Sequence, residues 1–378
     1  MSQPGEKQPL LDVNDKDHAG WLASRMSVLR QSARERGCVC FFVLLGAGQA
    51  LTTRIAVSNH DGHLPYDTAA AVLVAETMKL VFAIVWVFAC NRISLTWDMP
   101  KAWLYESMDL LVVACLFALQ NQLSFLIIER LGAGLFMILG NLKIVFTCVF
   151  MRVLLDKKFV TCQWLAVALL TGSAVLVKFQ VLFGIGSDES TSQGSLVFGF
   201  FLLLVSAMSS GLASVKNEVI LKSGAGTSEA MPFMAKNAVL YFWGFWINIV
   251  SWYLWGKQPI LAVFAGRWCI ASVVMMAGMG LACAVILRYL DNVVRCFSSV
   301  AQVLLTVAMS HILPAWLHEG SFDLCYITSL VFLGVSLVLY QAHNSPKVHL
   351  YCLTAAACGL LVGVFCYAVD SYTTKAQR

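Results

Sequence analysis

Ten apolar runs, each of about the 20 residues that a helix needs to cross a hydrocarbon layer, fill the sequence between Cys38 and Tyr340 and constrain the fold more than any motif. They extend from Cys38 to Val57, Ala69 to Ala89, Met108 to Ile128, Gly132 to Leu155, Thr161 to Val181, Ser195 to Leu221, Pro232 to Leu254, Trp268 to Leu287, Asn292 to Ile312 and Leu324 to Tyr340. With 59% hydrophobic and 12% charged residues the chain could not cover a soluble surface. The reading is an all-α polytopic membrane protein. An eleventh run, Leu350 to Val369, is long enough to add a span and would move the C-terminus to the opposite side of the membrane from the N-terminus.

Charge placement gives the orientation. Arg25, Arg30, Arg34 and Arg36 precede the first run, and Arg152, Lys157 and Lys158 lie between the fourth and fifth, whereas loops of opposite parity hold Asp61, Asp67, Asp188, Glu189, Glu319 and Asp323. Positive residues stay on the cytosolic side, so the N-terminus is expected there. Basic residues confined to alternate connections also argue against a nucleic-acid partner, despite the net charge of +5. Residues 1–37 are polar, expected to be a disordered cytosolic tail without a cleavable signal, and Glu6 to Leu11 resembles an acidic dileucine sorting signal. The thirteen cysteines show no Cys-x-x-Cys pair or ligand spacing, so no metal, cofactor or disulfide framework is expected. With no nucleophile and base constellation or phosphate-cradling glycine loop, the chain does not read as an enzyme.

Polar side chains inside apolar runs carry the functional signal. Lys143, beside Asn141 in the fourth run, is costly in lipid, by about 2.5–3.5 kcal/mol at a helix centre, so it is expected to face a cavity or a paired anion, or to snorkel. Glu76 and Lys79 share a face of the second run as an ion pair or as cavity lining. Gln120, Asn121 and Gln122 cannot all face lipid; they glue helices together or read a base or sugar. The sixth run carries Ser209, Ser210, Gly211, Lys216, Asn217, Glu218 and Lys222, with Glu218 and Lys222 in the favourable order for an ion pair. Asn237 and Tyr241 share a face of the seventh, as packing or as a base-reading pair.

Two short connections, Glu129 to Gly134 and Leu287 to Asn292, read as tight hairpins and hint at a duplication, inverted if each half has an odd number of helices. On that reading Lys143 lies roughly 18 Å from one end of its helix and Arg295 roughly 7 Å from the other end of its own, which in a core about 30 Å thick leaves a depth difference of about 5 Å. Two cations from opposite halves then grip one anion; Arg295 alone could instead snorkel to the interface.

Five stretches in order give a family resemblance: Ala70 to Leu80; Ala118 to Gln122; Asn141 to Ile144 with Gln163-Trp164; Ser210-Gly211 with Glu218 to Lys222 and Asn237 to Tyr241; and Tyr289 to Arg295. The chain resembles nucleotide-sugar transporters of the drug/metabolite transporter superfamily, in the branch of CMP-sialic acid, UDP-galactose and UDP-N-acetylglucosamine carriers, which includes probable UDP-sugar transporters. The resemblance implies ten helices in two inverted five-helix halves, here 38–182 and 195–343, joined by a luminal loop 183–194 and followed by an extension 344–378. It implies Golgi membranes and exchange of a cytosolic pyrimidine nucleotide sugar for a luminal nucleoside monophosphate. It assigns phosphate to Lys143 and Arg295 and the nucleotide pocket to Gln120, Asn121, Ser210, Asn237 and Tyr241, next to Asn141. The chain departs from the branch at Phe136 and Gly140, where tyrosines are usual, at Lys216, where a tyrosine is usual, and at Arg295, where lysine is commoner. These departures leave the base and the sugar open. The other readings are a carrier of a different phosphorylated metabolite and a non-transporting membrane scaffold or trafficking protein. The expected partners are the bilayer and the transported solutes, with homo-oligomerisation left open.

Overall fold

A computed structural model of the protein describes residues 36–60, 66–90, 101–176, 193–223, 231–256, 258–312 and 324–341. Among them the secondary structure is helical, with no strand. The helices are α1 (Arg36–Ser58), α2 (Thr68–Cys90), α3 (Lys101–Leu139), α4 (Leu142–Leu154), α5 (Thr161–Leu176), α6 (Gln193–Lys222), α7 (Phe233–Trp255), α8 (Arg267–Tyr289), α9 (Asn292–Ile312) and α10 (Leu324–Gln341), with a 3-10 turn at Ile260–Phe264. Six helices among the described residues, α1, α2, α3, α6, α8 and α9, hold stretches long and apolar enough to cross a membrane. The N-terminal tail, the loop up to residue 192 and the eleventh run lie outside the described residues.

One expectation is corrected. The chain does not turn at Glu129 to Gly134: α3 continues through that segment for 39 residues, and the break falls at Gly140-Asn141. Glycines at 132 and 134 cost a helix only about 1 kcal/mol each, whereas at Gly140-Asn141 the ladder changes to bonds between residues three apart, Lys143 N–H to Gly140 O at 3.4 Å and Ile144 N–H to Asn141 O at 2.9 Å. Lys143 therefore sits in the first turn of α4, not deep within a helix begun at Gly132, and the depth estimate built on that start falls with it.

Packing joins helices far apart in sequence. The most extensive contacts are α3 with α6, α2 with α7, α5 with α10, α4 with α6, α3 with α7 and α2 with α8. The α1 helix lies against α8, where Phe42 packs with Ala282 and Ile286, and against α9, where Gly46 leaves room for the Gln302 side chain. Between α5 and α10, Ser173 and Ser329, both fully buried, each donate a hydroxyl to the other's carbonyl at 2.8 Å. Apolar surface gives no net drive between helices in lipid, so close packing and such polar exchanges hold the bundle. One core joins Ile144, Cys148 and Met151 of α4 to Cys296, Val300 and Leu304 of α9, which sets the helices carrying Lys143 and Arg295 side by side.

Candidate functional site

Lys143, Asn141 and Gly140 at the α4 break, Gln120 of α3, and Leu203, Ser206, Ala207 and Ser210 of α6 line one cavity of about 190 Å³. Four residues singled out from the sequence thus share a wall. The position of α6 depends on Gly211, where an added Cβ would stand 3.0 Å from the Thr147 backbone nitrogen. Helix backbone cannot yield as a flexible side chain does, so Gly211→Val is expected to force α6 off α4 and cost about 1–3 kcal/mol. A lowered unfolding midpoint of the detergent-purified protein checks this; an unchanged midpoint would show that the contact is slack.

Among the described residues the Lys143 ammonium has no hydrogen bond and no carboxylate partner. Its neighbours in charge are Arg295 and the Cys283 and Cys296 thiols. Arg295 projects from the first turn of α9. Its guanidinium donates to Cys283 Sγ at 3.7 Å, and its Nε is buried without a partner. Glu218 is a carboxylate within electrostatic reach, but its oxygens are engaged: Oε1 by Lys222 at 2.6 Å, Oε2 by the backbone N–H and side-chain amide of Asn292 at 3.0 and 2.9 Å. Two neighbouring cations thus lack an anion of their own among the described residues. Like charges in a low-dielectric interior repel strongly, so the arrangement is suited to a bound anion.

A second polar cluster lies on α2, α7 and α8. Glu76 and Lys79 pair at 2.6 Å, with Gly244 leaving space for the carboxylate and Gly280 for the lysine stem. The Lys79 ammonium stands 4.7 Å from the centre of the Tyr241 ring, a cation–π contact. Tyr241 is buried with its hydroxyl unpartnered, and Asn237, also buried, donates to Phe233 O at 2.9 Å while its Oδ1 has no partner. Cys283 lies within electrostatic reach of Tyr241 as well as of Arg295, so it stands between the two clusters.

Other expected site residues fall elsewhere. Lys216 pairs with Asp109 of α3 at 3.0 Å on a partly exposed surface and is absent from the cavity wall. Asn121 is half-buried, Gln122 donates to Ser251 of α7, and Phe136 lies in the C-terminal stretch of α3, its side chain outside the description. Two larger hollows, of about 760 and 710 Å³, are lined by apolar residues such as Phe82, Val85 and Phe245, or Phe41, Trp86 and Leu281, and hold none of these cations.

Sequence reasoning missed Lys236. Its side chain is 1% exposed and its ammonium bonds Ile220 O at 2.8 Å, Ser223 O and Oγ at 3.0 Å and Glu106 Oε1 at 3.1 Å, closing the end of α6 and tying it to α3 and α7. The available signal was a lysine in a helix's first turn, where the dipole disfavours it.

The family model for nucleotide-sugar transporters matches residues 35–345. This chain belongs to that family. As a nucleotide-sugar transporter family member it is 25% identical over 357 residues to the UDP-galactose translocator 1 of Caenorhabditis elegans, covering 90% of this chain and 97% of the relative. It is 28% identical to the human UDP-N-acetylglucosamine transporter, over 76% of this chain and 88% of that one, and 28% identical to CMP-sialic acid transporter 1 of Oryza sativa subsp. japonica, over 79% and 91%. These relatives are named as transporters, and the family member described here is a membrane protein with several apolar helices.

Proposed function

We propose that this family member exchanges a cytosolic pyrimidine nucleotide sugar for a luminal nucleoside monophosphate across Golgi membranes by alternating access, with Lys143 and Arg295 holding phosphate. The observation that carries the reading is the pair of neighbouring cations without a carboxylate of their own among the described residues, one of them on the wall of a cavity. Arginine and lysine recognise phosphate through charge-assisted bonds. Gln120, Asn141 and Ser210 supply donors and acceptors around it, and Asn237, Tyr241 and Asn121 read the base. The names of the relatives, carriers of UDP- and CMP-linked sugars, support the pyrimidine assignment.

Two halves related by duplication fit the packing. If α1 to α5 correspond to α6 to α10, then α2 with α7, α5 with α10 and α4 with α9 are self-related pairs, and α3 with α7 has its counterpart in α8 with α2. The reciprocal Ser173 and Ser329 bonds are what an axis between α5 and α10 would produce. A cavity of about 190 Å³ is below the ~300 Å³ usual for a small-molecule site, so it suits a phosphate with part of its nucleoside, and the passage must widen for the whole solute.

Uptake of labelled UDP-sugars into proteoliposomes, competed by UMP, CMP and GMP, tests the assignment: the pyrimidine nucleotides are expected to compete and GMP to compete poorly. Asn121→Ala and Tyr241→Ala are expected to narrow the difference between UMP, CMP and GMP more than they weaken phosphate binding, because amides and rings read a base while cations attract any phosphate. Equal loss of all three in folded variants would make these side chains structural.

A further inference from the structure

The helices that carry Lys143 and Arg295 are tied together again at one end. The chain leaves α4 through Asp156, whose φ of 48° lies in the left-handed region that aspartate tolerates better than most residues. Beyond it the Lys157 N–H bonds Met151 O at 3.3 Å. This turn delivers the Lys157 ammonium to Asp291 Oδ2 at 2.6 Å and to the Tyr340 hydroxyl at 3.2 Å. Asp291 in turn begins α9, its Oδ1 accepting the Val294 N–H at 2.9 Å as an N-cap. One contact therefore joins the α4–α5 connection, the start of α9 and the end of α10. Burial works against the charge on Lys157, but the Asp291 carboxylate outweighs it and holds the Lys157 pKa above its ordinary value, so the lysine is charged at neutral pH. Directly beneath, Cys148 of α4 and Cys296 of α9 are buried in the shared core as free thiols.

We propose that the Lys157, Asp291 and Tyr340 contact is a latch that holds α4 against α9 at the basic end of the bundle and parts in each transport cycle. The inference rests on the transport reading above. Opening at this end separates α4 from α9, widens the space between Lys143 and Arg295, and uncovers the thiols in the seam. Exposed Arg152 and Lys158 beside the latch give that end a positive field that draws anions to it. The half-buried pair, with side chains 32% and 22% exposed, is strong enough to bias a two-state equilibrium yet weak enough to break.

The test uses the full chain in detergent and maps alkylation of Cys148 and Cys296 by a water-soluble maleimide. Lys157→Gln is expected to speed labelling of both roughly tenfold by shifting the population toward the open state. Asp291→Asn, whose side-chain oxygen still caps α9, is expected to do the same with the fold intact. UMP, bridging the two cations, is expected to slow labelling in the wild type. Wild-type labelling rates in both variants would overturn the latch, as would an equal rise in Arg152→Gln, the neighbouring exposed cation. Faster labelling in the two latch variants with no response to UMP, CMP or GMP would leave the latch standing and overturn the ligand reading.

Discussion

Lys143→Gln is expected to abolish the thermal shift that nucleoside monophosphates give the wild type, with the unliganded variant still folded. The substitution removes one member of the cation pair and, on the proposed reading, leaves phosphate charge uncompensated. By comparison with truncating one partner of a buried charge pair, the loss is about 2–5 kcal/mol, or roughly 30-fold to several thousand-fold in affinity. The variant pays no matching stability cost, because among the described residues Lys143 has no carboxylate partner to strand. Arg295→Lys is expected to keep a partial nucleotide-induced shift: the charge remains while the planar fork and its contact to Cys283 are lost. Thermal-shift titration with UMP and CMP measures both. A normal shift in Lys143→Gln would remove the residue from the mechanism.

Lys236→Met is expected to have the largest effect on stability, and for the opposite reason. Its ammonium is fully engaged, with Glu106 and with the carbonyls of Ile220 and Ser223 at the end of α6. Removing it strands Glu106, whose Oε2 is already buried without a partner, and reopens the helix end. Breaking a buried pair from one side costs about 3–5 kcal/mol. The unfolding midpoint and the monodisperse yield are expected to fall together, and Glu106→Gln added to Lys236→Met is expected to recover part of the loss. An unchanged midpoint would mean that water replaces the ammonium at no cost.

The contrast between these two lysines shows what the sequence can reveal. Lys143 stands inside an apolar run, where intramembrane cost flags it, whereas Lys236 stands at the start of its run and is not flagged that way; what sets Lys236 apart is its partners, which lie on other helices. Glu106 is remote in sequence from Lys236, as Asp109 is from Lys216, so neither pairing follows from helical spacing. Local spacing did work where the partner is one turn away: Glu76 with Lys79 and Glu218 with Lys222 both form at 2.6 Å. The α3 to α4 break does not follow from the sequence because Gly132 and Gly134 look like a bend, whereas the helix runs on through them and the tighter hydrogen-bond pattern appears at Gly140 and Asn141. Gln120, Asn141, Lys143 and Ser210 were legible because each is a polar group that lipid would penalise, and a bundle has one interior in which to collect such groups. Lys216 carried the same signal, yet at its position near the end of α6 it meets Asp109 on a partly exposed surface.

Counterflow in proteoliposomes separates exchange through Lys143 from every other reading. Vesicles holding the purified protein are loaded with UMP, CMP or buffer and given labelled UDP-sugar outside. Exchange through Lys143 predicts that a loaded pyrimidine monophosphate stimulates uptake well above empty vesicles, and that Lys143→Gln, reconstituted at the same density, shows none. Uptake that is absent under every loading, or that proceeds equally in Lys143→Gln, would contradict it.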